Sequence, residues 1–563
     1  MSSLLPSPAL LWGAQSRGRT LFLNGRILTG EQLLSASPRV VSALLVEDGW
    51  VTAAGDRETV EWCAGASGAG MAPKRVDLGG AFAMPGFNDA HLHLGEGTRL
   101  RREVDLAGAR SLEEALARIE QAAAHGAPGA WITGGGWDET LWPGGALPSR
   151  YDLDRVTGSR PAVFARADVH VSVANSAALA LGGVTHETFA PRGSAIDRDE
   201  HDEATGILRE RRARDLVERH IPVASLEERK RGLRPVLAEA LSLGVTSVQD
   251  NSTDEDFAAL RDLHADGELS VRVSEWLPFD APLGELERRR AAINTGAPGN
   301  RFLRTTMLKA FLDGSLGSRT AAMLTPYADA PKSAGIALYT QGELTERALE
   351  RAAAGFQLGF HAIGDRALAM ALTTFAAVRE ARVGAGPGVE SRFRIEHAQT
   401  AGEDAFARAR GVGAVASMQP GHLLTDARWA IERLGPERAA RAYAWRSFLA
   451  AGVPLAFGTD YPVEPLTPFR GLYAAVTRLG ESGGEPFYGE QRLRMAEALH
   501  ACTQGAAYAE GSEEWKGMLR PGFVADFVVL DRDLLDCVPR SVLETRVLRT
   551  VVDGRTVYEG EAR

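Results

Sequence analysis

Eight short apolar runs, each closing on polar residues and separated by helical stretches, constrain this chain more than any other feature. The runs fall at 83–91, 246–250, 271–276, 306–313, 357–363, 393–397, 414–419 and 454–460. Ala- and Arg-rich segments such as 111–124 and 226–243 alternate with Val/Ile/Phe-rich runs of this kind. That alternation is the signature of parallel βα units. Eight such units close into a (β/α)8 TIM barrel whose functional groups gather at the C-terminal rim. An α/β fold with a distorted barrel is therefore predicted over residues 81–505. Two further runs, 130–133 and 161–165, lie inside an interval of about 100–235. That interval far exceeds an ordinary βα loop of ~2–6 residues. It is predicted to be an insertion subdomain after the first barrel strand. Its Gly134-Gly135-Gly136-Trp137-Asp138 and Trp142-Pro143-Gly144-Gly145 segments read either as close turns around a ligand or as plain tight loops.

Both chain ends look like β structure. Residues 21–24 and 40–46 are strand-like, Glu47-Asp48-Gly49 suits a tight hairpin, and 525–530 and 547–553 with Gly554 repeat the pattern near the other end. Segments 1–80 and 506–563 are predicted to form one composite β-sandwich, which accounts for a chain of 563 residues as two or three modules. The net charge of -10 is spread along the chain, so neither nucleic acid nor an anionic membrane is an expected partner. A small, non-polyanionic substrate is expected instead. Three cysteines, Cys63, Cys502 and Cys537, give no disulfide framework and favour a reducing, cytoplasmic setting. Met1–Arg17 lacks the basic start of a signal peptide and reads as a flexible tail. No run approaches the ~20 apolar residues of a membrane helix.

The chemistry begins at Pro85-Gly86-Phe87-Asn88-Asp89-Ala90-His91-Leu92-His93. Side chains two apart on an extended segment point to the same side, so His91 and His93 can share one metal ion. Imidazoles suit zinc, nickel, copper or iron better than calcium or magnesium. Three later runs also end in candidate ligands, at His361, His397 and Asp460. Each alone reads more readily as a buried structural histidine or a helix cap than as a ligand. Together they would require five such residues to reach the rim by accident. No Gly-x-x-x-x-Gly-Lys-[Ser/Thr] segment is present, and no cysteine stands beside a base.

The chain resembles the amidohydrolase superfamily in its His-x-His after Pro-Gly-Phe, its later single histidines and its late aspartate. It resembles the amidohydrolase 3 branch in Lys309-Ala-Phe-Leu-Asp313-Gly-Ser-Leu-Gly-Ser-Arg319-Thr320, His361-Ala-Ile-Gly-Asp-Arg-Ala, Gly458-Thr-Asp-Tyr-Pro-Val-Glu-Pro-Leu and Gly522-Phe-Val-Ala-Asp526. That branch includes YtcJ-like proteins and N-substituted formamide deformylase. The resemblance implies one or two divalent metal ions, zinc first, with His91 and His93 on one ion, His361 and His397 on another, and Asp460 at metal and water. It implies Lys309 as the bridging ligand. An ammonium has no lone pair, but a lysine of lowered pKa can add CO2 to become a carbamate. The alternative is an unmodified Lys309 paired with Asp313 or another carboxylate. A homodimer is also common in the resembled family. By the same resemblance His170, Asp313, Arg319, Gln419 and His422 are candidate substrate-binding residues, and Asn175 belongs with His170. Val169 departs from the glycine that related sequences carry there.

The reading that follows is a metal-dependent hydrolase acting on a non-peptide carbon–nitrogen bond, such as an N-substituted amide or formamide, with Asp460 as the catalytic proton carrier. A deaminase or an ester or lactone hydrolase on the same metal site is the alternative within enzymes. A ligand-binding or sensor protein without turnover is the alternative outside them, and the presence of all six candidate ligands argues against it.

Overall fold

The structure is a computed structural model describing residues 18–66, 72–125, 129–294, 300–381 and 392–560. The tail expected over Met1–Arg17 lies outside the described residues. The eight runs became the eight strands of one parallel sheet. Numbered in chain order, they are β1 Phe87–Leu92, β2 Val245–Asp250, β3 Arg272–Pro278, β4 Leu303–Phe311, β5 Gln357–Ala362, β6 Arg394–His397, β7 Val415–Met418 and β8 Leu455–Phe457. Each pairs with its sequence neighbour, so helices cross back between successive strands and both faces are covered, which is why the strands read as continuous apolar runs.

The seam between β8 and β1 makes the barrel distorted. No regular ladder runs there; Leu92 and Tyr461 form one isolated parallel bridge, and the Asp460 N–H donates to the His91 carbonyl at 2.7 Å. The Asp89 carboxylate accepts the Thr459 N–H at 2.9 Å and its hydroxyl at 2.6 Å. Gly458 permits this approach, because a Cβ there would stand 2.4 Å from the His91 nitrogen. The seam therefore brings the two ends that carry His91, His93 and Asp460 together.

The sandwich is composite, as expected. One sheet holds only N-terminal strands, Arg19–Leu23, Ala43–Glu47, Trp50–Gly55 and Lys74–Asp77. The other joins Arg26–Leu28, Val40–Val41 and Phe82–Pro85 to Phe527–Leu530, Val547–Val552 and Arg555–Glu559. Phe22, Ile27, Val46, Phe527 and Val551 fill the space between them. Both Asp-Gly turns are two-residue hairpins with positive φ at each position, 51° and 88° at Asp48-Gly49 and 53° and 74° at Asp553-Gly554.

Between β1 and β2 the chain builds a six-stranded mixed sheet, running from Val104–Asp105 to Ala204–Arg209, with apolar clusters of its own. The Gly/Trp segments correct one expectation. Gly134–Gly136 lie inside the strand Ile132–Trp137, where a Cβ at Gly134 would strike the Val104 carbonyl at 2.3 Å. Trp137 and Trp142 are buried in the insertion and donate to the Phe164 and Ala109 carbonyls. Close strand packing, rather than ligand contact, accounts for these residues, and of the two segments only Asp138 reaches the candidate cavity. Among the described residues no helix is long and apolar enough to cross a membrane, and the three cysteines are free thiols.

Where β2 ends, Asp250 pairs in register with Glu275 in the middle of β3, both buried. Burial raises the Asp250 pKa to about 6. Burial, reinforced by the Asp250 charge, raises that of Glu275 well above the ordinary value. The native pair thus holds a proton that the unfolded chain gives up. Its contribution to stability is complete below the unfolded carboxyl range of ~4. It is lost as pH rises through about 6 for Asp250 and through the raised pKa of Glu275. Glu275→Gln removes one of the two charges and is expected to stabilise the fold by about 1–3 kcal/mol near pH ~8 and by little near pH ~4.5. Thermal unfolding of both proteins at the two pH values measures this, and an equal effect at both would contradict it.

Candidate metal centre

His91 ends β1 inside the barrel mouth with no exposed surface. Its Nδ1 lies 2.8 Å from Glu396 Oε2 and 3.3 Å from the Gln419 amide nitrogen. The shorter, charge-assisted contact decides the tautomer: Nδ1–H donates to the carboxylate, leaving a lone pair on Nε2. His93, half-buried, places Nδ1 at 2.9 Å from the Asn251 carbonyl, an obligatory acceptor, so its Nε2 also carries a lone pair. Both lone pairs face one carboxylate oxygen. Asp460 Oδ1 stands 3.0 Å from His93 Nε2 and 3.5 Å from His91 Nε2. Three acceptors converging on one point fit a cation, and nitrogen and oxygen donors of this kind fit zinc and its neighbours.

The other aspartate oxygen, Oδ2, faces His422 Nε2 at 3.4 Å and His397 Nδ1 at 3.9 Å. His397 Nδ1 is buried and has no hydrogen-bond partner. One ligand atom each from His91, His397 and Asp460 falls within 4.8 Å of the others. His361, from β5, sets its ring edge-on to that of His397 with centroids 4.4 Å apart, and its Nε2–H donates to the Gly314 carbonyl at 3.1 Å, turning Nδ1 away from that loop. Both His397 and Asp460 have positive φ, 72° and 59°, a conformation found at strained functional positions and invisible in strand periodicity.

Lys309 rises from β4 into the same space, with Nζ 3.2 Å from His91 Nε2. Burial pushes its ammonium down to about 8. Among the described residues it forms no ion pair with a carboxylate. Asp313 is occupied otherwise: its oxygens accept the backbone N–H groups of Ala322, Ile363 and Gly364 at 2.9, 3.1 and 2.8 Å. Burial also lowers the pKa of His361 and His397 well below the usual imidazole value. For Asp460, burial acts upward, but the surrounding histidines outweigh it and hold the carboxyl well below its usual range. The opposite balance holds at His422, where burial is outweighed by Asp460, Asp426 and Glu464 and the pKa rises to about 9.

A cavity opens over these groups, lined by His361, His397, His422, Asp460, Trp429 and Asp426 and roofed by the insertion through Asp138, Arg166, Asp168 and His170. His170 is held by Glu210 at 2.9 Å and lies 5.2 Å, ring to ring, from His361. The preceding Val169 has φ 53°, a region in which a β-branched residue is strained and glycine is not. Gln419 packs beneath His91. The remaining candidates stand elsewhere. Asp313 is buried behind the cavity wall, Arg319 pairs with Asp329 at 2.7 Å near the surface, and Asn175 caps the helix Ser176–Leu181 and ties the Ala162 N–H.

Several residues here escaped sequence reasoning. Asp168 accepts the Ser315 and Ser318 hydroxyls, docking the insertion onto the loop after β4, and Arg166 binds Asp138, Glu139 and Asp168 together. Gly314 is small because Glu210 lies against it; a Cβ would sit 2.0 Å from Glu210 Oε1. The Gly-Ser-Leu-Gly-Ser spacing was the available signal for this contact, but its partner lies some 150 residues away.

Comparison with known proteins agrees with the geometry. A model described as the amidohydrolase family matches residues 74–558. Protein LONG AFTER FAR-RED 3 of Arabidopsis thaliana is 32% identical over 551 residues, covering 96% of this chain and 91% of its own. N-substituted formamide deformylase of Arthrobacter pascens is 28% identical, covering 86% and 90%. The crystal structure of an uncharacterized metal-dependent hydrolase from Pyrococcus horikoshii OT3 superposes with a TM-score of 0.73 at 31% identity, covering 93% of this chain and 99% of that one. With the match spanning barrel and sandwich alike, the chain belongs to the amidohydrolase family, in its amidohydrolase 3 branch, and is a metal-dependent hydrolase of that superfamily.

Proposed function

We propose that the protein hydrolyses a non-peptide carbon–nitrogen bond of a small molecule, of the N-substituted amide or formamide type, yielding an acid and an amine. The observation that carries the reading is the convergence of the His91 and His93 Nε2 lone pairs on Asp460 Oδ1, with both tautomers set by fixed acceptors. The 28% identical relative named as a formamide deformylase supports the choice of bond. His91 and His93 would hold one cation, His361 and His397 a second, and Asp460 would face both. Lys309, whose ammonium is pushed down to about 8, offers a neutral amine that can add CO2 and release a proton, giving a carbamate suited to joining two cations. Zinc held there supplies Lewis acidity, lowering the pKa of water from ~15.7 toward ~7 and polarising a carbonyl.

The chain's own residues do the rest. Asp460, held as a carboxylate, accepts the proton of the attacking water and returns it to the leaving nitrogen. His422, beside Asp460 Oδ2, steadies that carboxylate. His170, oriented by Glu210, faces the substrate from the insertion, and the insertion screens the reacting bond from bulk water. Chelation is expected to abolish amine release from an N-substituted formamide, and added Zn2+ to restore it. Unchanged activity after chelation would defeat the metal assignment. Turnover confined to esters, lactones or deaminase substrates in a parallel panel would defeat the choice of bond. A metal-loaded protein silent on the whole panel would favour a ligand-binding role.

A further inference from the structure

The two histidines of the pair are held by unequal partners. His93 leans on a neutral carbonyl, whereas His91 leans on the carboxylate of Glu396, which is wholly buried. Glu396 is itself clamped. Its other oxygen accepts Arg394 Nε at 2.9 Å, the two residues standing two apart on β6 and hence on the same side. Arg394 is buried just as completely. Its remaining N–H groups donate to the Gln249 side-chain oxygen, to the Ala90 carbonyl at 2.8 Å and to Ser417 Oγ at 2.9 Å. The guanidinium is thus fixed by β1, β2 and β7 together, and it leaves the carboxylate one free direction, toward His91 Nδ1. A buried pair of this kind is weak as a device for stability, since apolar side chains of similar volume would fill the barrel as well.

We infer that Glu396, locked by Arg394, is the positioning residue that fixes the Nδ1–H tautomer of His91, aims its Nε2 at the cation and so sets the affinity of the centre. A carboxylate partner makes the imidazole a stronger donor than a carbonyl does, and partners of this type typically change metal affinity by ~10–100-fold. The inference rests on the metal reading of the same site.

The test is a titration of the full-length protein with Zn2+ or Co2+ in competition with a chromophoric chelator. Glu396→Gln is expected to raise Kd by ~10–100-fold, and an unchanged Kd would overturn the inference. That variant leaves a guanidinium unpaired, so Arg394→Gln/Glu396→Gln, which removes both charges, must show the same loss. A double variant of wild-type affinity would mean that stray charge, and not the lost carboxylate, weakened the single one, and the inference would fall. The metal-free protein supplies an independent signature. A low-field proton resonance from His91 Nδ1–H should be present in wild type and move upfield in both variants, because an amide oxygen accepts more weakly than a carboxylate, and an unchanged position in them would also overturn the assignment. A wild-type protein that binds no metal yet shows this resonance would sink the metal reading while leaving the Glu396–His91 tautomer in place.

Discussion

Asp460→Asn is expected to lower kcat/KM by roughly 10²–10⁴-fold, the range that a positioned acid–base group supplies. The amide keeps the size of the carboxylate and can still offer one oxygen to a cation, but it has no basic oxygen with which to take a proton. In the native site one oxygen faces the His91–His93 side and the other faces His422 and His397, so proton and cation are served by different lone pairs of one group. Metal content measured beside the kinetics separates the two duties. A fall in kcat with metal retained assigns Asp460 to proton transfer, and loss of metal assigns it to binding. A variant that keeps both metal and full activity would remove Asp460 from the chemistry altogether.

Lys309→Ala carries an effect of similar size for a different reason. If the lysine carries CO2, its loss removes an anionic ligand worth several kcal/mol to a charged transition state, roughly 10²–10³-fold in rate. On the two-cation reading proposed above, metal content should fall from two equivalents toward one. Truncation at Cβ opens space beside His91 and Trp276. Added acetate or propionate should therefore recover part of the activity, and Lys309→Met, which fills the space with an apolar chain, should not respond. Lys309→Ala with the metal content and rate of the wild type would defeat the bridging role. Partial loss without carboxylate rescue would leave Lys309 as a structural cation against Trp276 and Phe311.

Much of the architecture was legible because it depends on local rules. Strand and helix alternate along the chain with their own periods, so each of the eight runs could be found separately and counted. The Asp-Gly pairs encode their hairpins within two residues, since both positions must take positive φ. The insertion betrayed itself by length. Its glycines and tryptophans misled, because glycine serves strand packing and ligand contact equally and only the neighbouring Val104 carbonyl distinguishes them.

The candidate site divides along the same line. The same-side spacing of His91 and His93 follows from the period of an extended chain, and His361, His397 and Asp460 close apolar runs that the primary structure shows, whereas Lys309 was indicated only by the family resemblance. Which nitrogen of each histidine is free, and where each lone pair points, only the folded barrel decided. Glu396 reaches His91 across 305 positions and Asn251 reaches His93 across 158. The same holds for Asp168, whose hydroxyl partners wait on a loop of the barrel, and for the left-handed turns at His397 and Asp460 that swing their side chains into the mouth. A tautomer and an ion pair are settled by what stands within about 3 Å. Distance along the chain says nothing of that until the barrel has closed.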